Sequence, residues 1–148
     1  MLTLKEAASE QEMAHVREIR RKVFAEELGQ ETADVFSAPD EGSTCAIMYD
    51  GKKPVATGRL CFDDERWKIC SIAVVIEERG AGLGDFLMRY LIRRAFDSGA
   101  GEVYVNALAD ARGFYEKLGF AAVEPPRENR GAIRVLMKRA GDIGGRCV

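Results

Sequence analysis

The sequence has little of what metal sites and membrane spans require. It contains one histidine, His15, and four cysteines without CxxC spacing, so no zinc site is expected. No apolar run approaches the roughly 20 residues of a membrane-spanning helix; the longest, around Ile69–Ile76, has the length of a strand. The N-terminus lacks the basic start and apolar core of a signal peptide. We therefore expect a cytoplasmic protein with neither a metal nor a membrane partner.

The charge is close to balance, with 22 basic and 24 acidic residues and a net charge of -2. Nucleic-acid-binding domains are usually basic, so no nucleic-acid partner is expected. The 148 residues, of which 47% are hydrophobic, suit one globular domain with its own core. We predict a single domain over residues 1–140 and a loose, glycine-rich tail over 141–148.

Hydrophobic periodicity predicts helices set among strand pairs. A capping box at Ser9-Glu10-Gln11-Glu12 begins a helix that runs to Leu28 and ends at Gly29. A polar stretch, Gln30–Ser43, is expected to be a long loop or a short helix. Asp50-Gly51 indicates a hairpin. Strands are predicted at Thr44–Tyr49, Pro54–Phe62, Trp67–Ile76, Glu102–Val105, Phe120–Val123 and Ile133–Met137. Further helices are predicted after Gly84, ending near Gly99, and at Asp110–Leu118. This pattern predicts an α/β or α+β fold around a mixed sheet.

A glycine-rich loop, Glu77-Glu78-Arg79-Gly80-Ala81-Gly82-Leu83-Gly84, joins the most apolar strand to a helix. The first amides of a helix have no intrahelical acceptors, and the helix dipole places positive charge beside them. Glycines leave these amides accessible to a bulky anion. We therefore predict a phosphate or pyrophosphate site here, to which Arg79 could add a charge-assisted hydrogen bond.

Two common phosphate motifs do not match this loop. A Walker loop ends in Gly-Lys-Ser/Thr, whereas this loop ends in Gly84-Asp85. The dinucleotide fingerprint needs a third glycine three positions after the second, and Asp85 occupies that position. The alternative interpretation is a tight strand-to-helix turn without a ligand, although three alternating glycines exceed what such a turn needs.

Two motifs resemble those of the GNAT superfamily of acetyltransferases. Arg79-Gly80-Ala81-Gly82-Leu83-Gly84 is similar to its Arg/Gln-x-x-Gly-x-Gly/Ala signature, and Phe114–Phe120 is similar to its second motif, in the same order and separation. Three further segments resemble the bacterial ElaA-like subgroup: Arg21–Phe24, Thr57–Leu60 and Asn106–Tyr115. Leu108 and Arg134 depart from that subgroup, which commonly has a polar residue and, nearby, a histidine.

The resemblance implies a GNAT-like domain, with six or seven mostly antiparallel strands and helices on both faces. It implies that acetyl-CoA binds with its pyrophosphate on the amides of Arg79, Gly80, Ala81, Gly82, Leu83 and Gly84, with Arg112 near the phosphates. The strands Trp67–Ile76 and Glu102–Val105 would splay apart, and the pantetheine would then bind the main chain of Ile72, Ala73 and Val74 as an added strand.

The resemblance also implies direct attack of an amine on the thioester. Cys45, Cys61 and Cys70 are expected to be buried thiols, and no basic partner of any cysteine is apparent from sequence. Tyr115 is the candidate general acid for the departing thiolate; the alternative is an aromatic residue that packs on Phe120.

The general base is not identified. Asp64 and Glu65 lie in a polar turn, and Glu26 and Glu27 follow the first helix; each pair could equally be exposed to solvent. The hypotheses are an N-acetyltransferase for a small or peptide amine, a non-catalytic acyl-CoA-binding module, and an unrelated nucleotide-phosphate binder. The acceptor amine and homodimer formation stay open.

Overall fold

A computed structural model describes residues 1–27, 42–129 and 132–141. The predicted helix end at Leu28 and Gly29, most of the Gln30–Ser43 stretch and nearly all of the C-terminal tail lie outside these residues. The described helices are α1 (Glu10–Arg20), a π-helical segment (Arg21–Glu27), α2 (Leu83–Asp97) and α3 (Arg112–Lys117), with single 3₁₀ turns at Ile76–Glu78 and Ala109–Ala111. None of these helices is both long and apolar enough to cross a membrane.

Within the described residues, eight strands form one sheet. They are β1 (Leu2–Glu6), β2 (Thr44–Asp50), β3 (Lys53–Asp63), β4 (Arg66–Val74), β5 (Glu102–Leu108), β6 (Ala121–Ala122), β7 (Arg127–Asn129) and β8 (Ala132–Ala140). The order is β1-β2-β3-β4-β5-β8-β6, and β7 also pairs with β8. All pairs are antiparallel except the parallel pair β4–β5. The predicted α/β fold with a mixed, mostly antiparallel sheet is confirmed.

The two main helices cover opposite faces of this sheet. A Cβ added at Gly58 on β3 would lie 2.8 Å from Leu91 Cδ1, so Gly58 faces α2. Its neighbour Arg59 is opposite Cys45 on β2, and Cys45 is in contact with Arg20 of α1. Residues alternate between faces along a strand, so α1 lies on the other side. The core fills both interfaces and includes Val16, Ile19, Ile47, Met48, Leu60, Ile69, Leu87, Met88, Leu91, Val103 and Met137.

The predicted first helix is a single helix in sequence but has two geometries in the structure. Ser9 Oγ accepts a hydrogen bond from the Glu12 amide at 3.1 Å, and the reciprocal bond from the Ser9 amide to Glu12 Oε1 is 3.0 Å. The capping box is therefore confirmed. From Arg21 onward the helix widens to π geometry, which is common at functional sites.

Several boundaries differ from those predicted. β1 and β7 were not predicted, because β1 is a short, largely exposed edge strand and β7 has only three residues. β4 ends at Val74 rather than Ile76, where a 3₁₀ turn begins. α2 begins at Leu83, before Gly84, because Gly82 is the N-cap residue with a left-handed φ of 82°.

Candidate active site

A cavity of about 860 Å³ opens where β4 and β5 separate. The two strands pair only at Trp67–Val103 and Lys68–Tyr104. Beyond these pairs, β4 residues 69–74 and β5 residues 105–108 line the cavity from opposite sides. The strands therefore diverge as expected, and the gap exposes the edge of β4 on the side away from β3.

The glycine loop and the start of α2 form one end of this cavity. Gly80, Gly82, Leu83 and Gly84 line it, whereas Ala81 is exposed and lies outside the lining. Gly80 and Gly82 have φ values of 86° and 82°, which favour glycine. Among the described residues, no protein acceptor takes the main-chain N–H groups of residues 80–85. These donors therefore remain available to an anion in the cavity.

Position 84 tolerates a small side chain, unlike positions 80 and 82. Gly84 does not have a positive φ, and a Cβ there would meet Phe114 Cζ at 3.6 Å, an ordinary van der Waals distance. Alanine therefore fits against the protein at this position, whereas a larger side chain has to extend toward the cavity.

The two predicted arginines occupy different positions. Arg79 lines the cavity, and its Nε donates a 2.9 Å hydrogen bond to the Val74 carbonyl. Arg112 instead pairs with Glu116 at 3.2 Å and is not among the lining residues. Lys117, one turn further along α3, lines the cavity in its place. The structure thus brings Arg79, but not Arg112, to the cavity wall.

A β-bulge shapes β4 at the centre of the site. Thr57 pairs with Ala73 but Arg59 pairs with Cys70, so Gly58 stands opposite both Ser71 and Ile72. Ser71 has a φ of 58°, which is unusual for serine and absorbs the extra residue. A Cβ at Gly58 would lie 2.5 Å from Ile72 Cδ1, so any larger residue beneath the bulge would force the end of the Ile72 side chain to move. The predicted pantetheine-binding residues Ile72, Ala73 and Val74 all line the cavity directly after it.

Tyr115 lines the cavity and also packs on its aromatic neighbours. Its ring makes edge contacts with Phe114 and Phe120, with centroid distances of 5.0 and 5.9 Å. Tyr115 therefore makes the aromatic packing on Phe120 that the alternative interpretation predicted, and it also lies at the cavity wall. Burial raises the pKa of Tyr115, and the charge of Arg134 opposes this shift. Within the described chain its hydroxyl has no hydrogen-bond partner, so a protonated phenol is available at the cavity surface.

The cysteines differ from the expectation in two ways. Cys45 is buried, but Cys61 and Cys70 are only half-buried. Cys70 does have a basic partner: Arg59, only 6% exposed, donates from Nε and Nη2 to Cys70 Sγ at 3.3 and 3.2 Å. A hydrogen bond from Cys61 and the guanidinium of Arg59 lower the pKa of Cys70 to about 6. Cys70 lines the cavity. The site therefore contains a thiol with a lowered pKa, which the sequence did not reveal.

A register count could have found this pair. Asp63 pairs with Arg66 across a two-residue turn, and counting back along the hairpin places Arg59 opposite Cys70.

Asp64 and Glu65, the candidate bases, form that turn with positive φ angles of 55° and 60°. Both are exposed and neither lines the cavity. The side chains of Glu26 and Glu27 lie outside the described set.

Among the described residues, no group of three or more His, Cys, Asp or Glu side chains could hold a metal. The carboxylates that line the cavity, Glu78 and Asp85, lie at the glycine loop. Asp85 is paired with Arg89 at 2.8 Å, and Glu78 is 3.7 Å from Lys53. Each therefore has a cationic neighbour at the loop end of the cavity.

Comparisons with known proteins agree with this geometry. Residues 4–140 match the acetyltransferase (GNAT) domain family. The uncharacterised N-acetyltransferase YjcF of Bacillus subtilis is 32% identical over 114 residues, which cover 77% of this chain and 81% of that protein. Escherichia coli ElaA has a similar fold, with a TM-score of 0.83, 21% identity and coverage of 94% of this chain and 99% of that chain.

An aminoglycoside 6'-N-acetyltransferase complexed with coenzyme A also shares the fold, with a TM-score of 0.76, 16% identity and coverage of 93% and 96% of the two chains. At these identities the two structures show likeness of fold alone. The family match and the relative from Bacillus subtilis confirm the resemblance carried by the two motifs. The chain belongs to the GNAT family of acetyltransferases and is an acyl-CoA-dependent N-acyltransferase.

Proposed function

We propose that the protein transfers an acetyl group from acetyl-CoA to a primary amine of a small molecule or peptide. One observation carries this proposal: the open edge of β4, Tyr115 and a glycine loop whose amides bind no acceptor among the described residues all line one cavity. A pyrophosphate at one end and a thioester at the other would use each of these features. The cavity volume of about 860 Å³ lies within the roughly 300–1,000 Å³ of small-molecule and cofactor sites.

The residues present fit coenzyme A. The main-chain N–H groups of residues 80–85 would hold the pyrophosphate at the positive end of the α2 dipole. The main chain of Ile72, Ala73 and Val74 would hold the pantetheine as an added strand. Arg79 lines the cavity and could bind a phosphate oxygen if it gave up its hydrogen bond to the Val74 carbonyl. Arg112 could bind a phosphate only after breaking its ion pair with Glu116.

Bound acetyl-CoA supplies the acetyl group as an activated thioester. The amine attacks this group directly, and the sulfur of coenzyme A then leaves and needs a proton. Tyr115 supplies that proton, because its raised pKa keeps the phenol protonated at neutral pH. The amine would have to lose its own proton to solvent or to a base that is not identified.

Thermal unfolding with acetyl-CoA, CoA, ATP and NAD tests the cofactor site. At 100 times its dissociation constant, a ligand stabilises the folded state by about 2.7 kcal/mol, which corresponds to a shift of roughly 5–11 °C for a chain of this size. Stabilisation by ATP or NAD alone would contradict the assignment.

Variants at Gly84 locate the site. Gly84→Ala should bind CoA nearly as well as the wild type, since its Cβ fits beside Phe114. Gly84→Glu adds bulk and negative charge beside the amides and should abolish the shift. Gly101→Glu, at an open position away from the cavity, is the matched charge control. Equal CoA affinity in Gly84→Glu and Gly84→Ala would exclude the glycine loop as the phosphate site.

Release of acetylated product, measured with a panel of amines, tests catalysis. An active transferase acetylates at least one amine, and Tyr115→Phe lowers kcat while CoA still binds. If acetyl-CoA binds tightly but no amine is acetylated, the protein is instead a non-catalytic acyl-CoA-binding module.

A further inference from the structure

A second, smaller cavity of about 210 Å³ adjoins the first between β4, β5 and β8. Cys70, Asn106 and Arg134 line both cavities, so the two lie side by side at these residues. The volume is below the roughly 300–1,000 Å³ of drug-sized sites. This space therefore suits one compact molecule beside the thioester end of the large cavity.

The smaller cavity is strongly basic, although the chain as a whole has a net charge of -2. One acidic side chain, Glu124, lines it together with four basic ones: Arg66, Lys68, Arg127 and Arg134. Amines enter an active site largely as ammonium ions at neutral pH. A plain ammonium would be repelled by this excess of positive charge, whereas an amine with its own negative group would be attracted.

Three of the four basic residues already have partners. Arg127 pairs with Glu124 at 3.2 Å, and Lys68 pairs with Asp63 at 3.3 Å. The guanidinium of Arg66 lies over the Tyr104 ring, 4.4 Å from its centroid.

Arg134 differs, because it is half-buried and has no carboxylate partner among the described residues. A partly desolvated guanidinium without a counter-charge is costly, and a carboxylate can satisfy it with two parallel hydrogen bonds. The positive charge of Arg134 acts on Tyr115 and opposes the upward shift of the Tyr115 pKa that burial causes. An anion on Arg134 would therefore lie close to the group that protonates the leaving sulfur.

We infer that the acceptor is a small amine that also carries a carboxylate, an amino-acid-sized molecule whose anionic group binds Arg134. This inference rests on the proposed acetyl transfer and names its acceptor class. Arg134 is then a specificity-determining residue: it binds the carboxylate and leaves the amine directed at the thioester.

Matched pairs of amines test the inference, each pair differing only in the negative charge. Glycine, β-alanine and γ-aminobutyrate are compared with their primary amides, with the acetylated product quantified by chromatography. For at least one chain length, kcat/KM should favour the carboxylate by roughly ten- to hundredfold, as expected for a charge-assisted hydrogen bond. Equal or better use of all the amides would overturn the inference while leaving the acetyltransferase function intact.

Variants at Arg134 assign the preference to one residue. Arg134→Gln should raise KM for the carboxylate amine far more than for its amide, so that the preference is lost. Arg134→Lys should retain part of it. Arg93→Gln, at an exposed arginine paired with Asp97 away from both cavities, should change nothing. If Arg134→Gln lowers kcat for both amines alike and shifts the pH profile, Arg134 acts on Tyr115 and the inference is wrong.

Binding without turnover separates the two proposals. Calorimetric titration of the CoA-saturated protein with the same amines measures carboxylate recognition even if no acetylation occurs. Binding of the carboxylates that is lost in Arg134→Gln supports the anionic site although the transferase function has failed. Absence of carboxylate binding in a protein that acetylates neutral amines overturns the inference alone.

Discussion

Cys70 should titrate as an unusually acidic thiol, which alkylation can measure. With a pKa of about 6, roughly 90% of Cys70 is thiolate at pH 7, against about 3% for an ordinary thiol of pKa ~8.5. A thiolate of lower pKa is also a weaker nucleophile, and this offsets roughly tenfold of the gain in thiolate fraction. The net gain in rate is only about two- to threefold at pH 7. The midpoint of the rate against pH is therefore the informative quantity, rather than the rate at neutral pH.

The assay is iodoacetamide labelling of the folded protein over roughly pH 5–9, a range that spans both pKa values, with each cysteine followed by peptide mass mapping. Buried Cys45 is the slow internal reference. Cys70 should show a midpoint near 6, and acetyl-CoA should protect it because it lines the cavity. Cys61→Ala removes the largest cause of the low pKa and should move the midpoint upward. A wild-type midpoint at or above ~8, the range of ordinary thiols, would refute this reasoning.

Three further predictions concern stability and catalysis. Gly58→Ala should lower the free energy of unfolding by roughly 1–3 kcal/mol, because its Cβ would lie 2.5 Å from Ile72 Cδ1; thermal unfolding measures the loss. Tyr115→Phe should lower kcat by roughly 10²-fold or more, and the wild-type rate should not decline until the pH exceeds ~10, since burial raises this pKa. Glu6 has a lowered pKa because of hydrogen bonds from Tyr90 and Arg94. Because Glu6 and Arg94 are both more than a third exposed, Glu6→Gln should cost only roughly 0.5–1 kcal/mol at neutral pH. This loss should vanish as the pH falls through the folded-state pKa of Glu6, where the wild-type carboxylate becomes protonated; equal losses at neutral and at acidic pH would contradict it.

Local signals in the sequence predicted much of the fold. The capping box and the Asp50-Gly51 turn each fix a boundary through interactions between near neighbours, and both are present. β1 escaped prediction because its partner, β2, lies some forty residues away in sequence. The start of α2 was displaced to Leu83 because φ at Gly82, which sequence does not report, decides which glycine caps the helix. Terminal strands and cap conformations depend on tertiary context, so propensity alone misses them.

The position of the glycine loop at one end of the cavity was predictable for a physical reason. A pyrophosphate is recognised by main-chain N–H groups, and the sequence records where side chains are absent, as at Gly80, Gly82 and Gly84. The smaller cavity depends on side chains from β4, β5, β7 and β8, which meet only in the folded sheet. The residues of the basic cavity around Arg134 are therefore scattered along the sequence and form no contiguous motif.

The bulge at Ser71 determines which face of the sheet the neighbouring β4 side chains point to. In a regular strand, residues 70 and 72 would face the same side of the sheet. The extra residue reverses this alternation: Cys70 stays opposite Arg59 on the α1 face, whereas the Ile72 side chain meets Gly58 and α2. A one-residue shift moves side chains to the opposite face. The bulge therefore lets one strand contribute Cys70 to both cavities and, two residues later, pack the Ile72 side chain against the core on the α2 face. Gly58 lies in one of the segments that resemble the ElaA-like subgroup. Because it has no side chain, it leaves room for the Ile72 side chain beneath the bulge.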